Sequence, residues 1–300
     1  MAPIIALLER AHVYLDQGQY RQAAKALRQI LHKNPNHVES LDLLSKIALK
    51  KHNYSVALGL ITRAIKIWPR NAILFKNLGK SYCGLRDWPQ AITALETSLT
   101  LDNRQPEAHY FLGLALKNTG ELNQAGHSFQ KAYGLKPDYV GAYYRMADTL
   151  AEAKMFNAAV QFYQRAHDLA PDRTDILVDL GNALRKCNDD LSAETCYRRA
   201  LELNPKSISA LNNWGNLLRD QGNAALALKL AQKAIAIRPK LPVLQNGLGL
   251  AYEQTKDWDK ARVCYQLAME LDPNYDNPRL NLAKLEQTCR NLSQAQIEYQ

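Results

Sequence analysis

The chain has 300 residues, 47% of them hydrophobic, and a formal net charge of +9. That is ample for a buried core, and no segment approaches the ~18 apolar residues of a membrane span. The five cysteines include no C-x-x-C pair, which argues against a paired-cysteine metal site.

From the N-terminus, MAPIIALLERAHVYLDQG has a short apolar patch without a basic n-region or a long apolar core. It reads as structure and not as a signal peptide, and a soluble, cytoplasmic protein is expected. Pro35, Pro69, Pro137, Pro171, Pro205, Pro239 and Pro273 then fall on one 34-residue lattice, vacant only at Asn103. The lattice divides the chain into units 4–37, 38–71, 72–105, 106–139, 140–173, 174–207, 208–241 and 242–275, with a partial ninth at 276–300. Nothing in the composition interrupts it, so 1–300 is expected to be a single array.

Other positions keep step. The eighth of each unit is Ala11, Ser45, Gly79, Gly113, Ala147, Gly181, Gly215, Gly249 and Ala283. The twentieth is Ala in all nine units, and the twenty-seventh is small in most, as at Ala64, Ser98 and Ala132. Small residues are needed where helices cross at close range, with Leu filling the space between crossings. The clearest unit, Ile208 to Leu241, reads as two amphipathic helices joined at Gly222 and closed by Pro239. Asp189 and Asp190 sit between two helices, as an N-cap would. Each unit is thus a helical hairpin that stacks on the next.

This period, the small-residue positions and the closing proline resemble the tetratricopeptide repeat family over essentially the whole chain. The resemblance implies an all-α, right-handed α-solenoid in which the first helices line a concave groove. The ninth unit, by the same lattice, stops at Gln300 partway through its second helix. Leu280, Leu282, Leu285, Leu292 and Ile297 would form the terminal layer, which is either a cap or an open face for self-association. The lattice leaves no length in this sequence for a separate domain.

Charge is uneven along the array. Units one and two carry +7 of the total and unit seven carries +4. The basic start includes Arg10, Arg21, Lys25, Arg28, Lys46, Lys50, Lys51 and Arg63. It raises the alternative of nucleic-acid or anionic-surface binding, although few aromatics stand among these cations to stack on bases.

No motif for chemistry emerges. H-E-x-x-H, G-x-x-x-x-G-K-[ST] and G-x-S-x-G are all missing from the sequence. The seven histidines are scattered, without an i, i+3 or i, i+4 pair to chelate a metal. A non-enzyme without cofactor or metal is expected, and the cysteines read as small packing residues in a reducing compartment.

By the resemblance, the groove positions of the first helices select candidate binding residues. Units three and four offer Lys76, Asn77, Lys80, Tyr110, Phe111, Leu114 and Lys117. Unit five offers Tyr144 and Arg145. Units six to eight offer Asn182, Arg185, Asn212, Asn213, Asn216, Arg219 and Asn246. An amide both donates and accepts, so a row of Asn can pair with the backbone of an extended peptide whatever its sequence. This row is similar to the asparagine ladder in the repeat domain of O-linked N-acetylglucosamine transferase, though interrupted at Phe111, Arg145, Asp179 and Gly247. Equally, such Asn can bond between adjacent first helices, and the aromatics can pack on the next unit. The family's two-carboxylate clamp for acidic chaperone tails needs cations where Val178, Val243 and Gly247 stand.

The expected function is a protein–protein interaction scaffold or adaptor that binds an extended peptide. Alternatives are the substrate-docking arm of a glycosyl- or sulfo-transferase system, nucleic-acid binding through units one and two, and a self-assembling scaffold.

Overall fold

A computed structural model describes the backbone of residues 3–298 and the side chains of residues 3–291. Among the described residues there are seventeen helices and no strand. The chain divides into two compact units, Met1–Met155 and Phe156–Gln300. The first holds α1 (Ile4–Asp16), α2 (Tyr20–Lys33), α3 (Val38–Lys50), α4 (Tyr54–Ile67) and α5 (Ala72–Leu85). It continues with α6 (Trp88–Leu101), α7 (Pro106–Asn118), α8 (Leu122–Leu135) and α9 (Val140–Glu152). The second holds α10 (Phe156–Leu169), α11 (Thr174–Lys186), α12 (Asp190–Leu203) and α13 (Ile208–Asp220). It ends with α14 (Ala224–Ile237), α15 (Pro242–Gln254), α16 (Trp258–Leu271) and α17 (Asp276–Glu298). Every odd-numbered helix starts one lattice step after the previous one, so the expected unit boundaries coincide with the first helices.

Within each repeat the turn follows one plan. The residue two before the second helix sits in the left-handed region: Gly18, Gly120 and Gly222 at φ of 72°, 89° and 80°, but also His52, Arg86, Lys154, Asn188 and Lys256 near 60°. The very next residue ends the turn, its N–H reaching five residues back, as from Asn223 to the Leu218 carbonyl at 2.8 Å. That same residue then caps the second helix. Asn53, Asp87, Asp189, Asn223 and Asp257 each accept from an N–H three residues on.

The hairpins close by matching size. A Cβ on Gly79 would lie 2.4 Å from Leu95, on Gly113 2.7 Å from Phe129, on Gly181 2.6 Å from Tyr197 and on Gly249 2.5 Å from Tyr265. The partner is always the twenty-fourth residue of its unit, and Leu95, Phe129, Tyr197 and Tyr265 are fully buried. Repeat seven breaks the rule. Gly215 faces Ala231, small against small, and a narrow void of about 10 Å³ remains there.

First helices are also tied to the loop behind them. The fourth residue of three units bonds the carbonyl of the residue on the proline lattice. His109 Nε2 meets the Asn103 carbonyl at 3.0 Å, Gln245 donates to Pro239 at 2.8 Å, and Arg279 donates to Pro273 at 3.2 Å. A carbonyl only accepts, so His109 carries its proton on Nε2.

The ninth unit departs from expectation. Instead of a turn near Arg290 and a partial second helix, α17 runs unbroken from Asp276 to Glu298. Continuing the helix keeps every backbone bond that a turn would give up. Ala283, whose counterparts lie under a second helix, is accordingly exposed. Leu285 is fully buried against Ala261 and Tyr265. Leu292, Ala295 and Ile297 lie outside the described side chains.

None of the five cysteines forms a disulfide. Cys83 and Cys264 are buried, and Cys187, Cys196 and Cys289 are partly so. Burial pushes the Cys83 thiol up to about 12 and those of Cys196 and Cys264 to about 11, as for packing residues and not reactive thiols.

Candidate functional site

The second, fifth, sixth and ninth residues of a first helix share one face. In the second compact unit these faces on α11, α13 and α15 bound a cleft of about 440 Å³. Its floor is apolar, with Val178 and Leu244 buried and Val243 half exposed at the rim. Asn182, Asn212 and Asn213 form its polar side, and Asp175 and Asp179 its acidic edge. A hydrogen bond from Arg173 holds the Asp175 carboxyl below the usual carboxylate range.

The amides are connected. Asn212 Nδ2 donates to Asn213 Oδ1 at 3.2 Å, and Asn213 Nδ2 donates to Asn182 Oδ1 at 2.8 Å. The same Asn182 oxygen accepts from the Tyr197 hydroxyl at 2.8 Å. Its two lone pairs are filled, while both N–H bonds of Asn182 lack an acceptor among the described residues. Asn212 and Asn213 each keep one further N–H, so four amide N–H bonds remain for an occupant.

Elsewhere the Asn row links repeats. Asn281 donates to Asn246 at 2.9 Å, and Asn77 donates to Asp42 at 3.3 Å. Asn246 and Asn77 are 7% and 5% exposed. Asn216 accepts from Arg219 at 3.1 Å. The open amides are therefore concentrated at Asn182, Asn212 and Asn213. At the far ends of α11 and α13, Arg185 and Arg219 share the Asp220 carboxylate at 2.6 and 2.9 Å.

The candidates in the first compact unit engage one another. Tyr110 packs on Phe111, Tyr139 and Phe129 with ring centroids 5.2, 5.1 and 6.0 Å apart. Lys80 lies 5.1 Å over the Phe111 ring, and Arg145 5.1 Å over Tyr144. Lys76 pairs with Glu107 at 2.7 Å, Arg145 with Asp148 at 2.7 Å, and Lys117 with Glu152. Leu114 is partly buried beside them. Burial works against the Arg145 charge, but hydrogen bonds to Asp148 and Tyr110 outweigh it and raise its pKa. Arg145 Nε is buried and has no acceptor among the described residues.

Thr174, the first residue of α11, and Ser207 and Leu241, which directly precede α13 and α15, also line the cleft and are not groove positions in the lattice reading. They stand at helix starts, and the only sequence signal for them is capping: Ser207 accepts from the Ala210 N–H at 3.4 Å. Among the described residues no three His, Cys, Asp or Glu side chains converge as a metal site would require. Nor, among the described residues, is any helix long and apolar enough to cross a membrane.

Stacked helical hairpins with an amide-lined face on their first helices define a helical-repeat protein. The family description "Tetratricopeptide repeat" matches residues 8–72, 76–139, 140–173, 174–207 and 206–274. The chain belongs to the tetratricopeptide repeat family. It is 26% identical over 100 residues to the small glutamine-rich tetratricopeptide repeat-containing protein 2 of Saccharomyces cerevisiae, covering 33% of this chain and 29% of that one. It is 28% identical over 117 residues to human tetratricopeptide repeat protein 13, covering 39% of this chain and 14% of that one. This chain thus spans less than a third of either relative. Among solved structures, the Cut9–Hcn1 hetero-tetramer of APC/C superposes with a TM-score of 0.65 at 16% identity, over 93% of this chain and 55% of that one. YrrB, described as a TPR protein with an unusual peptide-binding site, gives 0.52 at 21% identity, over 64% and 99%. These two share the fold.

Proposed function

We propose that this protein is a non-catalytic protein-interaction scaffold that holds an extended peptide segment in the cleft of α11, α13 and α15. The observation that carries this reading is the set of four unengaged amide N–H bonds on Asn182, Asn212 and Asn213 above an apolar floor. Donors fixed by their bonds to one another can meet backbone carbonyls of a peptide without losing side-chain entropy on binding. Val178, Val243 and Leu244 then supply a pocket for an aliphatic side chain, which selects among peptides that the amides alone would not distinguish. The repeat family, and the peptide-binding site named for YrrB, support a peptide as the ligand class. A cytoplasmic location and an adaptor role are part of the same proposal.

The test uses peptides selected from a displayed random library against the native chain. Ser209 and Val243 are exposed at the rim, so Ser209→Arg and Val243→Glu obstruct the cleft without disturbing the core. Selected peptides should lose most of their affinity for both variants. Peptides that bind either variant as tightly as the native chain would exclude this cleft.

A further inference from the structure

A second groove lies on the other helices of the first compact unit. Its walls are α2 and α4 and its floor is α3, enclosing about 450 Å³. Leu44, Ile47 and Ala48 are buried in the floor and Ala24 in the α2 wall, Leu31 and Leu60 are half-buried, and Val56 is 49% exposed. Around this apolar strip stand Arg21 and Arg28 on α2, Lys51 at the end of α3 and Arg63 on α4. No acid lines it. Arg21, Arg28 and Lys51 have no ion-pair partner among the described residues, and Arg63 donates to the Pro35 carbonyl at 2.9 Å. The neighbouring cations are engaged differently, Lys46 with Asp42 at 2.6 Å and Lys50 with the Tyr20 hydroxyl.

The repeat supplies its own control. Two lattice steps later, the groove between α6 and α8 has the same construction, about 800 Å³ over Leu99, Leu112 and Leu116. There Glu96 takes the place of Arg28, Gln124 that of Val56 and Ser128 that of Leu60. The fold does not require the basic, apolar lining, because the equivalent site is mixed in charge and more polar.

We infer that the groove between α2 and α4 docks an acidic amphipathic segment of a partner protein, its aliphatic side chains on the strip and its carboxylates against Arg21, Arg28 and Lys51. Charge complementarity selects an acidic ligand. The recessed apolar floor then selects a peptide over the alternatives. A flat bilayer cannot reach a strip walled by two helices, and single-stranded nucleic acid seeks aromatic platforms, of which this lining has none. The site is separate from the α11–α13–α15 cleft and stands whether or not that cleft binds peptide.

The probe is a fluorescent Ala-based peptide with Leu at i, i+3, i+4 and i+7 and Glu on the flanking positions, titrated into the full chain and followed by anisotropy. The key variant is Arg28→Glu/Val56→Gln/Leu60→Ser, which carries into the first groove the residues that the second groove already holds, so the repeat accommodates them. Unchanged circular dichroism checks its fold. Native chain should bind the peptide with an affinity that falls as salt rises, the triple variant should bind on the order of tenfold or more weakly, and Ser209→Arg should bind as native does. Absence of binding to native chain, equal binding by the triple variant, or equal binding of a scrambled peptide of the same composition would overturn the inference. Tighter binding of an oligouridine or of phosphatidylserine vesicles would overturn it in favour of those ligands.

Discussion

The hydroxyl of Tyr197 donates to Oδ1 of Asn182 at 2.8 Å, joining the single, fully buried aromatic of the sixth hairpin to the amide at the centre of the cleft. The ring seals the hairpin against Gly181, and the hydroxyl orients the amide that Asn213 also reaches. Packing and recognition here depend on one side chain. Tyr197→Phe keeps the ring and removes one of two donors, and should destabilise the protein by about 1 kcal/mol. Asn213→Ala alone also leaves one donor. The double variant leaves the Asn182 oxygen with none, so its loss in urea unfolding should exceed the sum of the single losses. Simple additivity would show that the two bonds are independent of the shared acceptor.

Two glycines at the same repeat position should respond oppositely to alanine. At Gly181 the added methyl meets Tyr197 at 2.6 Å, and Gly181→Ala should destabilise by about 1–3 kcal/mol. At Gly215 the nearest atoms are 3.7 Å or more away, beside the void left by Ala231. Gly215→Ala should stabilise by about 1 kcal/mol through helix propensity alone. Chemical denaturation of both variants checks the signs.

The turn residues offer a second route to stability. Arg86 and Lys256 hold φ of 60° and 62°, where a side chain crowds the following carbonyl. Arg86→Gly and Lys256→Gly should each raise stability by about 0.5–1 kcal/mol, and Asn188→Gly by less, because Asn tolerates this region. A loss of stability in thermal melts would mean that these side chains hold the turn by contacts stronger than the backbone strain.

His109 introduces a pH dependence. Burial depresses its pKa below the ordinary value, against the opposing pull of its bond to the Asn103 carbonyl. The unfolded state therefore binds more protons than the folded one as pH falls. The contribution of His109 is fully present above about pH 6.5 and is lost as pH drops below that value. His109→Gln should keep the bond, as Gln245 does with the Pro239 carbonyl, and should flatten stability against pH in that window. An unchanged profile would place the dependence on other groups.

The lattice of repeats was legible in the sequence because each helix start, turn and crossing has its own residue type at a fixed spacing. Asp189 caps α12 as the sequence indicates, accepting from the Ser192 N–H at 3.1 Å. The Asn row was legible only as a row. Which amides bond to one another depends on side-chain reach between helices, and so Asn77 and Asn246 turn out as buried links while Asn182 and Asn212 stay open. The basic groove was hidden for another reason. Arg21, Arg28, Lys51 and Arg63 come from three helices, and a charge count along the chain cannot separate them from Lys46 and Lys50. The run of α17 through Arg290 was also beyond the sequence, since Arg86 occupies the equivalent turn position without preventing a turn.

The coincidence of every first-helix start with the proline lattice makes chain length behave here like a reading frame. One residue inserted inside a helix rotates all later side chains of that helix by about 100° and takes the crossing glycine away from its bulky partner. Excising a whole period, such as 208–241, leaves each remaining glycine facing the same kind of neighbour. Length in this array is quantised. Its tolerated insertions and deletions should be whole repeats, or fall in the loops after the closing prolines.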